Sequence, residues 1–214
     1  MITFSNWGEW MRHSLELSAT IAFTLSGVMT AARSRLDGVG VYAVSFLAAL
    51  GGGTLRDILL DLRPFFWVQH VEYLWGVMAL STAAMIFMRR RHFEPTEKVI
   101  QLPDALGLGL FAAVGVDVAS SHGMPALVAV LMGVITPVFG GVLRDIVCNQ
   151  IPAAFIDHRP YALCAFLGGW LYLGLQALNT PDWLTLTATV FFTAGLRMLA
   201  LWRDWQLPIW RVDR

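Results

Sequence analysis

The sequence predicts an all-α polytopic membrane protein, with seven transmembrane helices arranged as an inverted three-plus-three repeat and a seventh helix added. Three observations predict it. Of 214 residues, 57% are hydrophobic and only 14% charged, with a mean hydropathy of +0.60, whereas soluble domains carry about 25% charged residues. Seven stretches have the roughly 20 mostly apolar residues that a membrane crossing needs. Finally, Gly51-Gly52-Gly53-Thr54-Leu55-Arg56-Asp57-Ile58 returns 88 residues later as Gly140-Gly141-Val142-Leu143-Arg144-Asp145-Ile146.

The seven spans are about 15–33, 38–62, 70–88, 104–121, 125–150, 160–178 and 183–202. The chain reads as a single membrane domain, 1–214, with 15–88 as the first repeat, 104–178 as the second and 183–202 as the seventh helix. The first span follows a short polar segment, as a signal peptide does. Yet its Phe23, Gly27, Val28 and Ala31 recur as Phe111, Gly115, Val116 and Ala119 in a segment that is no signal. Pro64, His70 and Tyr73 recur likewise as Pro152, His158 and Tyr161. Three helices is an odd number, so the second copy enters the membrane upside down, which places a substrate or ion site between the halves near the midplane.

Basic residues orient the chain. Arg33, Arg35, Arg89, Arg90, Arg91, Lys98, Arg159, Arg203, Arg211 and Arg214 fall on one face, while the other has little beyond Arg12 and Arg63. The first face is expected to be cytoplasmic in a cell (inner) membrane, with the N-terminus outside and the C-terminus inside. The 89–103 linker is the candidate hinge, and its basic run reads as a topology signal. Trp67, Tyr73, Trp75, Trp170, Tyr172, Trp183, Trp202 and Trp205 fall near span ends, as an aromatic belt does. Cys148 and Cys164 lack metal-ligand spacing and read as small core residues.

The doubled motif holds the candidate site. Three consecutive glycines each disfavour a helix by about 1 kcal/mol relative to alanine, so the second span is expected to kink or unwind at Gly51–Gly53. Carbonyls freed there would carry partial negative charge suited to a cation. The fifth span adds Pro137 before Gly140 and Gly141, where the second has Ala49. Proline removes an intrahelical hydrogen bond, which makes the fifth span the candidate moving gate. Arg56-Asp57 and Arg144-Asp145 are ionisable pairs at membrane depth, where such residues are costly and usually functional. Adjacent residues do not face one another on a helix, so each is expected to find a partner elsewhere. Asp117 is the expected partner of Arg56, ahead of reciprocal pairing between Arg56 and Asp145. Glu16 and Asp104 read as carboxylates at helix starts, explained by the helix dipole. His70 and His158 read as interfacial caps. The glycine run lacks the Lys-Ser or Lys-Thr of a phosphate loop, and no nucleophile–base or metal cluster stands out. The chain is not expected to be an enzyme, to bind a cofactor or to bind nucleic acid.

The two Gly-Gly-x-Leu-Arg-Asp copies in a three-plus-three-plus-one pattern resemble the prokaryotic trimeric intracellular cation (TRIC) channels, whose bacterial members share a domain named for glycine transport. The resemblance covers residues 15–202. It implies a homotrimer with one pore per protomer, permeable to monovalent cations, chiefly potassium, with sodium as the other permeant ion. It assigns pore lining to 38–62 and 125–150, so that Gly51, Gly52, Gly53, Arg56, Asp57, Gly140, Gly141, Arg144 and Asp145 inherit that role. Thr54, Asp117 and Pro137 join them from the reading of the residues. The lysine-containing phosphoinositide motif of animal members has no counterpart in Gly51–Asp57, so lipid regulation is not carried over, and membrane lipid is expected as a partner. One rival reading, a secondary transporter for glycine or another small zwitterion, uses the same features; another, a non-conducting scaffold, leaves the duplicated charges unexplained.

Overall fold

The computed structural model describes residues 7–91, 95–156 and 158–208. Arg211, Arg214 and linker residues 92–94, used above for orientation and as a hinge, lie outside the described residues. Nine helices form among those described: α1 (Trp7–Arg33), α2 (Gly38–Leu59), α3 (Phe66–Gln69), α4 (Glu72–Arg91), α5 (Glu97–Ser121), α6 (Ala126–Val147), α7 (Ala153–Ile156), α8 (Ala162–Ala177) and α9 (Asp182–Trp202). The seven longer helices fall on the seven expected spans; α3 and α7 are four-residue helices that follow Pro64 and Pro152. Five of the long helices (α1, α2, α5, α6 and α9) are long and apolar enough to cross a membrane.

Two boundaries differ from expectation, and both matter. α1 begins at Trp7 and α5 at Glu97, so Glu16 and Asp104 lie well inside their helices. Neither is at a helix start, and the dipole does not account for them. The same extension makes Glu97–Pro103 helical, leaving little of the supposed 89–103 hinge.

The repeat is written into local geometry. α2 and α6 both end on a residue with positive φ, Asp61 at 52° and Asn149 at 55°. Asp and Asn tolerate that conformation. It returns the chain so that Leu62 N–H donates to the Asp57 carbonyl at 2.8 Å and Gln150 N–H to the Asp145 carbonyl at 2.9 Å, closing each helix in the same way.

α1 and α5 run antiparallel, since Arg12 meets Asp117 at one end and Ser26 meets Asp104 at the other. Between them Phe23 and Phe111, equivalent residues of the two repeats, stack with centroids 5.6 Å apart. α2 and α6 cross antiparallel beside this pair. A methyl group on Gly52 would stand 1.7 Å from the Thr136 carbonyl oxygen, and one on Gly140 would stand 2.4 Å from the Ala48 carbonyl oxygen. These contacts exchange under the 88-residue offset, so each repeat supplies a matching half of the crossing. Gly27 against Ser45 Cα and Gly115 against Gly133 Cα repeat a second close approach, at 2.8 and 2.9 Å for the added methyl, as small residues permit in membrane helices.

The helical pattern runs unbroken through Gly51–Gly53 and through Pro137–Gly141. The expected unwinding does not occur. Without competing water, the backbone keeps its internal hydrogen bonds except where Pro137 has no N–H to donate, and the missing glycine side chains serve contact between α2 and α6 instead. Cys148 and Cys164 are buried, as expected. Tyr73 and Tyr172 are buried too and belong to polar networks, not to the aromatic belt. Trp75, Trp170, Trp183, Trp202 and Trp205 are exposed.

Candidate functional site

Two ion clusters of matching construction form the site. Arg56, in the last turn of α2, donates from one terminal nitrogen to Glu16 Oε1 at 3.0 Å and from Nε to Asp57 Oδ1 at 2.9 Å. The second oxygen of Asp57 accepts the Phe66 backbone N–H at 2.9 Å. The Phe66 ring lies under the guanidinium, 5.4 Å from its centroid. Glu16 also accepts the Tyr73 hydroxyl at 3.2 Å.

Arg144 repeats the arrangement in α6. It donates to Asp104 and to the Ser26 hydroxyl, and from Nε to Asp145 Oδ1 at 2.8 Å. Asp145 Oδ2 accepts the Ala153 backbone N–H at 2.9 Å. Arg56, Asp57, Glu16, Arg144, Asp145 and Asp104 are all buried, none more than 8% exposed.

Three expectations are corrected here. Each arginine does bond the aspartate that follows it. The i,i+1 rule describes side chains too short to turn back, whereas the long guanidinium fork reaches round to a neighbour when both lean into one cavity. Arg56 takes Glu16 as its second partner, not Asp117. Asp117 instead receives the Tyr172 hydroxyl at 2.6 Å and Arg12 at 3.4 Å. Glu16 and Asp104 themselves were the residues missed. They are 88 apart, so applying the repeat offset to every charged residue would have found them.

Each cluster lines a cavity. The first, about 530 Å³, is lined by Arg56, Asp57 and Glu16 together with Arg12, His13 and His70. The second, about 680 Å³, is lined by Arg144, Asp145, Asp104 and Gly141, with Tyr161 and Arg197 of α9. Arg197 is buried, donates to the Pro160 carbonyl at 3.3 Å and lies over the Tyr161 ring. It is the one charged residue in the 183–202 sequence, and that signal was present before the fold was known. The first cavity uses the N-terminal part of α1 and the C-terminal end of α5; the second uses the opposite end of each. The cavities therefore enter from opposite ends of the bundle. Along α1, Glu16 and Ser26 mark the two clusters, ten residues or about 15 Å apart.

Of the expected site residues, Arg56, Asp57, Gly141, Arg144 and Asp145 line a cavity. Gly52 and Gly140 lie in the tight α2–α6 crossing and line neither cavity. Added methyls on Gly51 and Gly53 would meet Leu143 at 2.6 Å and the Phe66 ring at 2.5 Å. Thr54 bonds the Leu50 carbonyl and the Trp67 indole N–H. Pro137 is buried within α6, and Asp117 stands beside the first cavity through Arg12.

A family model described as "Glycine transporter" matches the chain twice, over residues 13–89 and 101–177, which are the two repeats. A solved TRIC cation channel, from work on conductance, is 31% identical with a TM-score of 0.84, covering 94% of this chain and 98% of that one. The chain belongs to the TRIC family. The TRIC trimeric intracellular cation channel orthologue from Rhodobacter sphaeroides is similar as well, at 29% identity and a TM-score of 0.83 over 90% of this chain and 98% of that one. Among curated relatives, the UPF0126 inner membrane protein YadS of Escherichia coli is 32% identical over 204 residues, 93% of this chain and 96% of YadS. A UPF0126 membrane protein of Vibrio cholerae is 32% identical over 200 residues, 94% of this chain and 83% of that protein. With these relatives and its apolar helices, this TRIC family member is a membrane protein.

Proposed function

We propose that this protein is a cation channel, a homotrimer with one pore per protomer, passing monovalent cations and chiefly potassium. The observation that carries the proposal is the pair of cavities entering from opposite ends, each lined by one of two matched ion clusters, with α2 and α6 tightly crossed at Gly52 and Gly140. In this reading α4 and α8 complete seven membrane crossings, and the repeats are inverted. The Arg56 cavity opens outside and the Arg144 cavity opens to the cytoplasm, with the N-terminus outside and the C-terminus inside.

An arginine in a cation path calls for neutralisation, and here each has two carboxylates. The formal charge of each cluster is therefore −1, favourable to a cation in a low-dielectric site. At the rims Arg12 faces Asp117, Arg33 faces Glu97 and Arg159 faces Asp204. Conduction then requires α2 and α6 to separate at Gly52 and Gly140. Pro137 assigns the movement to α6, since it leaves the Gly133 carbonyl without its helical donor one turn before the crossing. Pro137→Ala is expected to lower the open probability at least fivefold in single-channel records while the trimer elutes unchanged from a sizing column. Unchanged gating would remove α6 as the moving part.

Proteoliposomes test the function. With potassium inside and a potassium-sensitive dye outside, wild-type protein is expected to release potassium without glycine, and Asp104→Asn to change that rate at least threefold. Liposomes that retain potassium but accumulate labelled glycine would overturn the channel reading.

Asp117 stands outside both clusters. Asp117→Asn keeps the Tyr172 bond and weakens one partly exposed ion pair, worth about 1 kcal/mol or less. Its melting temperature is expected to stay within a few degrees of wild type; collapse of the trimer would show that Asp117 carries more than a rim contact.

A further inference from the structure

We infer that His13, His70 and Glu72 form a binding site for a borderline transition-metal dication, of which zinc is the type, at the mouth of the Arg56 cavity. His13 lies near the start of α1, His70 caps the end of α3 and Glu72 opens α4. Their ligand atoms lie within 4.8 Å of one another. Glu72 Oε1 is 3.1 Å from His70 Nδ1 and 3.7 Å from His13 Nε2. Ligands of tetrahedral zinc, each about 2.0–2.2 Å from the ion, stand about 3.4 Å apart. The two measured edges bracket that value, so small rotamer adjustments close the set around an ion.

The surroundings orient the ligands. His13 Nδ1 is 2.9 Å from the Tyr73 hydroxyl oxygen, and that hydroxyl donates to Glu16 at 3.2 Å. The Nδ1 proton of His13 thus goes to Tyr73, and the Nε2 lone pair is directed toward Glu72. Metal-binding histidines characteristically have such a partner behind them, ending on a carboxylate. Here the chain continues from Glu16 to Arg56. Two nitrogens and one carboxylate oxygen, with a fourth position open to water, suit zinc; calcium and magnesium take oxygen ligands. The Glu72 side chain is 43% exposed and that of His70 25%, so an ion reaches them from solvent. The second repeat has Gln101, His158 and Pro160 at the corresponding positions, which leaves one candidate ligand of three. The site belongs to one face of the protein only.

Occupancy joins α1 to the α3–α4 corner and places two positive charges where cations would enter; this second consequence rests on the channel reading. Zinc titration of tag-free protein in detergent, followed by calorimetry and by cobalt absorption spectra, tests the site without any flux measurement. One ion per chain is expected, not displaced by millimolar calcium or magnesium. His70→Ala and Glu72→Gln, both at an exposed corner, are each expected to weaken binding at least about tenfold, and Tyr73→Phe, which removes the supporting bond, by about tenfold. Equal affinity of wild type and the His70→Ala/Glu72→Gln double variant, with matching melting temperatures in the absence of metal, would overturn the site. Zinc bound at these residues without slowing potassium release would overturn its effect on entry alone.

Discussion

Gly52→Ala is expected to dismantle the α2–α6 crossing. The added methyl would stand 1.7 Å from the Thr136 carbonyl oxygen, a backbone atom of a packed helix that has no flexible end to move. Overpacking a well-filled core typically costs about 1–3 kcal/mol, and a backbone clash this deep belongs at or beyond the upper end. The expected result is a large drop in melting temperature and in trimer yield. Gly141→Ala, in the second copy of the same motif, is the control. A methyl there meets nothing nearer than 3.8 Å, so its melting temperature is expected to match wild type. If the two variants behaved alike, the glycines would be acting through backbone flexibility and not through contact. Gly140→Ala, facing the Ala48 carbonyl at 2.4 Å, should follow Gly52→Ala.

The second large effect is expected at Arg144. Arg144→Met leaves Asp104 and Asp145 buried side by side without their cation. Removing one partner from a buried ion pair costs about 3–5 kcal/mol, because the remaining charge keeps its desolvation penalty. Thermal unfolding in detergent should show the loss. Adding Asp104→Asn removes one of the two stranded charges and is expected to recover part of the stability. That non-additivity is the signature of a direct interaction. Strictly additive losses would mean that Arg144 and Asp104 act independently, against the geometry. Arg56→Met with Glu16→Gln provides the same cycle in the first repeat.

Much of this was legible in the sequence, for reasons that the structure makes plain. Apolar length placed the seven longer helices, and the 88-residue offset marked the repeats, because both signals are local or periodic. The offset also contained Glu16 and Asp104, but their role depended on α1 and α5 beginning earlier than the apolar runs suggest. Hydropathy registers where a helix becomes apolar, not where it starts. The glycines were identified as special, but the unwinding expected of them does not occur. Helix propensity measured in water penalises them, whereas in a membrane their value is close contact, visible only once α2 is laid across α6. The Arg-Asp pairing was missed because the spacing rule describes helix faces and not the reach of a guanidinium. His13 gave no signal, since its neighbours His70 and Glu72 are more than fifty residues away in sequence.

The central claim is that ions pass through this protein between the two cavities. Single-channel recording of purified protein in a planar bilayer, under a potassium chloride gradient and with glycine added later, tests it most directly. The account predicts discrete current steps that reverse near the potassium equilibrium potential and do not depend on glycine. A silent bilayer, from protein whose proteoliposomes accumulate labelled glycine, would contradict it.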